Sequence, residues 1–446
     1  MKKYLLLLAI AVLSGGLLSC STSDNPEGED LGAAKKLAYM LSEAQPIQLT
    51  NEQRLFVNDN NGFALNFLKE VNEADRSGKS YIYSPLSITY ALGMVNDAAE
   101  GETEKEIEQT LGFHEGGIKA MNEFCKNLID NLPKVDNKVQ LNIANAIFLN
   151  KPYTLKPQFE QDMKQYYNAA AEALDFTSPS TLSRINDWCN ENTNGMIPSI
   201  LDEIDPSKVS YLLNAIYFKA DWTSKFEEAN TKTETFTTEK GNTQVPLMHQ
   251  NVLINYVKND IYSAIEMPYG NGICWNMTVM LPEDGKTTED IINYLAEIGW
   301  SKDYIIDNRQ YDVFTPMNGA TPYEVDLKLP RYESKSDTDK LQLGLIGLMR
   351  KMGINRAFDG SFAEIFNMAD VPVYISLMRQ KAAIKVTEEG SEAAAVTVVG
   401  VNKTFIEPDT PIEYPKATFH ANRPFVYLIR EASSGTIVFV GKYTGE

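Results

Sequence analysis

The chain has 446 residues, of which 43% are hydrophobic and 23% are charged, and its formal net charge is −19. This composition allows a large buried core, and no Pro-, Gly- or Ser-rich linker or internal repeat divides the chain. The acidic balance, with no basic stripe, argues against nucleic acid and heparin-like polyanions as partners.

The first 20 residues are typical of a targeting segment. Lys2 and Lys3 provide a positive start, and an apolar run over residues 4–13 follows that is too short for a spanning helix. Residues 17–20, Leu-Leu-Ser-Cys, resemble a bacterial lipobox, in which a peptidase cuts before the cysteine and the cysteine is then acylated. We therefore predict a lipid anchor at Cys20, with plain secretion as the alternative.

Residues 21–45 are polar and acidic at their start, which predicts a flexible acidic tether. Acidic residues soon after the lipidated cysteine resemble the surface-export signals of some Gram-negative lipoproteins. The expected location is the outer membrane, with the chain facing the cell surface or extracellular space, although a periplasmic orientation stays open. Residues 46–446 are then expected to form one domain.

Periodic patterns predict helices and strands in this domain. Ser84 precedes Pro85 and can cap a buried helix. The run over residues 211–219 is almost wholly apolar and predicts a strand buried on both faces, so its one amide, Asn214, must be hydrogen-bonded. Further helices are predicted at residues 51–70, 103–111, within 153–166 and at 341–352, and strands at 81–83, 141–150, 424–430 and 436–443.

One stretch near the C-terminus fits two structures. A strand-like run over residues 382–386 leads through two acids and a glycine into small neutral residues. At strand period one face carries the uncharged Ser391, Ala393, Ala395, Thr397 and Val399, whereas Glu392 lies on the other face. Such a segment can be exposed as a loop and can also fit as a central strand.

This stretch resembles the hinge of the serpin family, whose members are mostly suicide inhibitors of serine and cysteine proteases. The matching residues are Glu388, Glu389, Gly390, Ser391, Glu392, Ala393, Ala394, Ala395, Val396 and Thr397. A second serpin-like motif follows in Asn422, Arg423, Pro424 and Phe425. The resemblance covers residues 50–446. It implies a mixed α/β fold with three β-sheets, about nine helices and an exposed reactive-centre loop at about residues 388–415.

The resemblance also implies a polar cluster where the main sheet opens. Its members would be Ser84, Ser87, Asn214, Trp222, Arg331 and Gln380. The family commonly has histidine at the position of Gln380, but an amide can also donate and accept hydrogen bonds. Glu388 is expected to form an exposed ion pair with Arg331.

The reactive bond is predicted by counting from the hinge glycine in the family's manner. This count gives Thr404–Phe405, with Lys403–Thr404 as the runner-up. Thr404 suits elastase-like proteases and Lys403 trypsin-like ones, while a cut after Phe405 suits chymotrypsin-like ones. The segment over residues 405–415 is longer than is usual in the family and contains three prolines. Counting back from the C-terminal motif therefore gives a different reactive bond from counting forward from the hinge glycine. We prefer the hinge count because inserted length is what trapping requires.

No catalytic apparatus is predicted. His114, His249 and His420 form no HExxH or HxH spacing, no GxSxG or Walker loop is present, and each histidine is interpreted as a surface or packing residue. Cys125, Cys189 and Cys274 lack paired spacing and are interpreted as buried free thiols. No metal or cofactor is expected.

The predicted function is covalent inhibition of serine-type endopeptidases by a monomer, with cysteine peptidases as a further candidate target class. The bait is cut, the acyl-enzyme is trapped, and the loop enters the main sheet. Two alternatives stay open. One is a non-inhibitory serpin, although such members usually carry bulky, charged or proline residues on the inserting face. The other is a surface-anchored binding lipoprotein.

Overall fold

The computed structural model describes residues 45–113, 116–272, 274–298, 300–306, 309–314, 317, 319–391 and 413–446. Eight α-helices lie in these ranges, compared with the expected nine or so: α1 Asn51–Ala74, α2 Pro85–Ala98, α3 Gly101–Leu111, α4 Gly117–Asn131, α5 Pro157–Tyr167, α6 Ser180–Asn192, α7 Thr288–Ile298 and α8 Gly344–Met352. Among the described helices, none has the length and apolarity needed to cross a membrane.

Seventeen β-strands lie in the same ranges. They are β1 Tyr81–Tyr83, β2 Val139–Asn150, β3 Ala170–Leu174, β4 Ser210–Asp221, β5 Lys232–Thr238, β6 Gly241–Lys258, β7 Tyr262–Tyr269, β8 Trp275–Pro282, β9 Trp300–Ile306, β10 Arg309–Phe314, β11 Thr321–Pro330, β12 Tyr332–Asp337, β13 Leu377–Val386, β14 Gly390–Ser391, β15 Lys416–His420, β16 Phe425–Glu431 and β17 Ile437–Tyr443.

Two large sheets organise the molecule. The six-stranded sheet has the order β12-β13-β14-β4-β2-β3, and the nine-stranded sheet has the order β1-β17-β16-β8-β7-β6-β11-β15, with β5 paired to β6. A two-stranded hairpin, β9-β10, is the third sheet of the described residues. The predicted mixed α/β fold with three sheets is therefore confirmed.

Local sequence explains where the first helices begin. The Thr50 hydroxyl accepts a hydrogen bond from the Gln53 backbone N–H at 3.1 Å, and the Gln53 side chain accepts one from the Thr50 N–H at 3.2 Å. This capping box starts α1, which runs four residues beyond its predicted end. Ser84 caps α2 as predicted, since its Oγ accepts from the Ser87 N–H at 3.3 Å.

The core occupies both sides of the six-stranded sheet. Strand β4 is buried along almost its whole length, as its apolar sequence predicts. Its inner side joins the main core shared with the nine-stranded sheet, and its outer side packs under α6. Trp188 of α6 also meets Phe148 of the neighbouring strand β2 edge-to-face, with ring centroids 5.9 Å apart. A strand inserted beside β4 would therefore be covered on its inner face, and on its outer face only near Tyr211, Leu213 and Ala215.

Candidate functional site: the opening of the six-stranded sheet

The candidate site lies where β4 and β13 part. These strands pair in parallel from Tyr211 to Ile216 on β4 and from Leu377 to Ala382 on β13. Beyond that point they diverge, because β14 lies between their ends: Ser391 pairs antiparallel with Val386 of β13 and with Ala220 of β4. Gly390 and Ser391 of the hinge thus already form a short central strand.

A tight turn brings the chain from β13 into β14. The Thr387 N–H donates to the Gly390 carbonyl at 2.7 Å, and the Glu389 and Glu388 carbonyls accept from the N–H groups of Trp222 and Phe226 at 2.7 and 3.0 Å. A Cβ at position 390 would lie 2.1 Å from the Ala220 carbonyl oxygen. Only glycine fits this close approach of two backbones.

Ser391 is buried and faces the core. Its hydroxyl lies 2.7 Å from the Tyr269 hydroxyl, whose ring stacks on Trp222 with centroids 4.3 Å apart. The Trp222 indole N–H in turn donates to the Thr387 carbonyl at 3.0 Å. Burial raises the pKa of Tyr269 well above its ordinary value, so its hydroxyl stays protonated. We call these contacts of Tyr269, Trp222 and Thr387 around Ser391 the seat of the hinge.

The ion pair of Glu388 and Arg331 is present in the structure, with Arg331 Nη1 3.2 Å from Glu388 Oε1. It is less exposed than the sequence predicted, because only 9% of the Glu388 side chain is exposed compared with 43% of Arg331. The Thr231 hydroxyl also donates to Glu388 Oε1 at 2.7 Å. The buried carboxylate depends on both donors, so their loss should cost more than the loss of an exposed pair.

A buried polar cluster lies farther along the same strands. The Gln380 amide donates to the Ser84 carbonyl at 2.9 Å and to Asn214 Oδ1 at 3.1 Å, and its oxygen accepts from the Ser84 N–H at 2.9 Å. Asn214 donates to Asn145 Oδ1 at 2.8 Å, so the predicted hydrogen bonding of Asn214 is confirmed. Glutamine therefore links α2, β4 and β13 with an uncharged side chain.

Comparison with known proteins identifies this architecture. The profile of the family described as Serpin (serine protease inhibitor) matches residues 58–445. The chain belongs to the serpin family. Serpins are mostly serine protease inhibitors, and they are not enzymes.

Individual relatives match over most of this serpin. An uncharacterized serpin-like protein of Thermococcus kodakarensis is 29% identical, covering 99% of this chain and 98% of its own length. The leukocyte elastase inhibitor of Sus scrofa is 30% identical, covering 86% and 97%. The native-state crystal structure of the thermophilic serpin tengpin has a TM-score of 0.73 at 25% identity, covering 91% and 98%.

The C-terminal motif of this serpin anchors the chain between β15 and β16. Arg423 donates to the Pro282 carbonyl at 2.6 Å, and the Asn422 carbonyl accepts from the Thr237 N–H at 2.9 Å. Phe425 is fully buried and packs against Tyr443 with ring centroids 5.3 Å apart. Pro424 lies between these anchors, just before β16. The motif thus joins the end of β15 to the core.

Several predicted positions lie outside the described residues. They are Cys20 with the signal peptide and tether up to residue 44, hinge residues Glu392 to Thr397, the bonds Lys403–Thr404 and Thr404–Phe405, and His114. Their assignments stay predictions.

Sequence reasoning missed part of the site. Tyr269 follows an apolar pattern typical of any buried strand, so no local signal marks it as the partner of Ser391. Lys225 was also missed. It pairs with Glu389 and lies 2.8 Å from Asp221. Although burial alone would lower the pKa of Lys225, these carboxylates raise it.

The sequence predicts each histidine to be a surface or packing residue and each cysteine to be a buried free thiol. His249 and His420 are partly exposed, and both meet the carboxylate of Asp326. Across the described ranges, no group of three or more His, Cys, Asp and Glu is arranged to hold a metal ion. Cys125, Cys189 and Cys274 are free and buried as predicted, and burial raises the pKa of the Cys189 thiol to about 12.

Glu388→Lys should destabilise the seat and promote polymers on mild heating. The change removes an acceptor from Arg331 and Thr231 and places an ammonium group against a guanidinium. Hydrogen bonds to charged groups contribute about 1.5–3 kcal/mol each. Size-exclusion chromatography after graded heating measures the effect.

Glu389→Lys is the matched control, because its side chain is 49% exposed and the charge change is the same. A Glu388→Lys protein that stays monomeric wherever the wild type does, or polymerises no sooner than Glu389→Lys, would show that this pair does not hold the opening closed.

Proposed function

We propose that this serpin inhibits serine-type endopeptidases as a suicide substrate, by inserting its cleaved loop between β4 and β13. The observation that carries this proposal is the seated hinge: Ser391 already pairs with both strands, and Gly390 pairs with Asp221 of β4. After cleavage, insertion need only extend a strand whose first pairs exist.

The register of β14 predicts where each following residue would arrive. Because Ser391 lies opposite Val386 and Ala220, an antiparallel strand continued from it brings Glu392 between Lys385 and Lys219. Lys385 is exposed and Lys219 is partly exposed. An acidic side chain would therefore meet two basic ones on the outer face of the sheet, where opposite-charge neighbours are favourable.

The residues that would face the core after insertion also suit the side chains around them. In the same register Ala393 arrives between Phe218 and Ile384, both 2% exposed, where a small apolar side chain is required. Thr397 arrives between Asn214 and Gln380, so its hydroxyl reaches the polar cluster. These matches support insertion in this register.

Two side-chain atoms at the buried polar cluster make no hydrogen bond to any described residue. Within the part of the chain that the structure describes, Ser87 Oγ and Asn145 Nδ2 are buried without a hydrogen-bond partner. An inserted Thr397 would bring a hydroxyl that can both donate and accept. Separation of β4 from β13 would break the Gln380–Asn214 hydrogen bond, and a Thr397 hydroxyl lying between the two amides can replace it.

Insertion supplies the trapping step. A strand of about fifteen residues spans roughly 50 Å, so an acylated protease would be carried to the far end of the sheet and its active site distorted. The relative named leukocyte elastase inhibitor supports a serine protease as the target class. Thr404–Phe405 is the proposed bond, and Lys403–Thr404 is the runner-up.

A protease panel tests this function. The serpin is incubated with elastase-, trypsin- and chymotrypsin-like enzymes and with a cysteine protease, and the products are resolved on denaturing gels. A gel-stable complex with at least one serine protease is the expected result. Cleavage of the loop by every enzyme without a stable complex would refute inhibition and favour a non-inhibitory serpin or a binding lipoprotein.

We further propose that a lipid at Cys20 anchors the serpin to the outer membrane of a bacterium, facing the surface or the extracellular space. The supporting observations are the lipobox-like Leu-Leu-Ser-Cys and the acidic stretch that follows it. Detergent phase partitioning of the expressed full chain should place it in the detergent phase, and Cys20→Ala should move it to the aqueous phase. Aqueous partitioning of the wild type would contradict the anchor.

A further inference from the structure

One carboxylate bridges three strands on the nine-stranded sheet. His249 of β6 places Nε2 2.8 Å from Asp326 Oδ1, and His420 of β15 places Nε2 3.0 Å from Asp326 Oδ2. Asp326 belongs to β11, which lies between the two other strands. The three side chains are 32–40% exposed, so protons from bulk solvent reach them.

Strand β15 has few side-chain attachments apart from this bridge. It is five residues long, lies at the sheet edge and pairs in parallel with β11. Phe419 is its one fully buried side chain. The ion pair of Lys416 with Glu324 spans 3.7 Å between largely exposed groups and should contribute little. The contact of His420 with Asp326 is therefore its main polar side-chain attachment.

The neighbouring charges leave Asp326 as the anionic partner of both imidazoles. Lys328 lies opposite both histidines in the register, but Glu234 holds its Nζ at 2.7 and 2.8 Å. Strand β6 carries no other charged residue from position 247 to 253. On β15 the other charged residue is Lys416, which pairs with Glu324.

The bridging carboxylate stays ionised at neutral and mildly acidic pH. Burial alone would raise the pKa of Asp326, but hydrogen bonds from His249 and His420 outweigh burial and lower it. Imidazole is the side chain in this group of residues whose type ordinarily changes charge between pH 5 and 8.

We propose that His249, Asp326 and His420 form a proton-operated clamp that holds edge strand β15 more firmly at acidic than at alkaline pH. A neutral imidazole offers Asp326 one uncharged N–H donor. A protonated imidazole offers a charge-assisted hydrogen bond, which is stronger. The first proton should contribute most, because two imidazolium groups at one carboxylate repel each other.

The sign of the effect follows directly. The charge-assisted hydrogen bond is present at acidic pH, where imidazole is protonated, and it is lost as the pH rises and imidazole loses its proton. Strand β15 follows the bait segment, so its release at higher pH would free the C-terminal end of that segment. This last consequence rests on the proposed function, whereas the clamp itself does not.

Hydrogen exchange of the full chain tests the clamp. Mass spectrometry follows a peptide covering residues 413–421 from pH 5.5 to 8.0, with each rate divided by the intrinsic exchange rate at that pH. We expect protection of β15 to fall about three- to tenfold over this range. A peptide covering β17 provides the reference strand, which should show no comparable change.

Substitutions distinguish loss of the clamp from a general loss of stability. Asp326→Asn keeps the side-chain shape and removes the charge, and it should abolish the pH dependence; His420→Gln should do the same, and His249→Gln should reduce it. Glu324→Gln, which breaks the exposed pair on the same strands, should leave it intact. Constant wild-type protection, or an Asp326→Asn or His420→Gln variant that keeps the wild-type slope, would overturn the proposal.

Discussion

Limited proteolysis within the bait segment should raise the melting temperature of this serpin. Most proteins that are cut in a loop lose stability or barely change. Here the cut would release the hinge to continue β14 between β4 and β13. In the register of Ser391, residues 392–400 would line these strands as far as Tyr211 and Leu377, where their parallel pairing begins.

The size of the effect follows from the new hydrogen bonds. Roughly ten net backbone hydrogen bonds at about 1 kcal/mol each contribute about 10 kcal/mol. With an unfolding entropy of about 2.1 cal/mol/K per residue, a domain of about 400 residues gains roughly 12 °C from these bonds. Burial of the small-residue face adds to this, so a rise of about 10–30 °C is expected.

Thermal melts before and after proteolysis measure this rise, with the cut mapped by mass spectrometry to residues 402–406. A melting temperature that falls or stays constant after such a cut would refute the inhibitory mechanism. It would leave a serpin-shaped binding protein as the better explanation.

Ala393→Arg should convert the inhibitor into a substrate. In the same register position 393 arrives between Phe218 and Ile384, so an arginine there would bury a charge among apolar side chains at a cost of several kcal/mol. Insertion would slow, and hydrolysis of the acyl-enzyme would compete with it. The stoichiometry of inhibition should rise steeply, and Ser391→Arg, which would also lose the contact with Tyr269, should act in the same direction.

Glu392→Arg is the matched control. It would place the new charge on the outer face near Lys385 and Lys219, where like charges at exposed positions cost about 0.2–1 kcal/mol. The stoichiometry should therefore rise far less. Equal effects of the two substitutions, or an unchanged value for Ala393→Arg, would contradict insertion in this register. The cleaved Ala393→Arg protein should also gain little thermal stability.

The sequence alone determined the family and the order of the main elements, and it predicts the hinge. These features depend on local patterns: the buried strand β4, the cap at Ser84, and the alternation of small neutral residues after Gly390. The need for a hydrogen-bonded Asn214 also followed from sequence, because a buried amide in an apolar strand requires a partner. Local chemistry is sufficient for such inferences.

The tertiary structure decided which residues meet. Tyr269 reaches Ser391 across 122 positions, and Gln380 reaches Ser84 across 296, so no local pattern relates them. The burial of Glu388 was also unpredictable, since it depends on the packing of the β13–β14 turn against residues 222–226. Likewise, no sequence pattern relates His249 to His420, and they meet at Asp326 because β11 lies between their strands. Long-range strand order, which side-chain periodicity does not encode, sets these contacts.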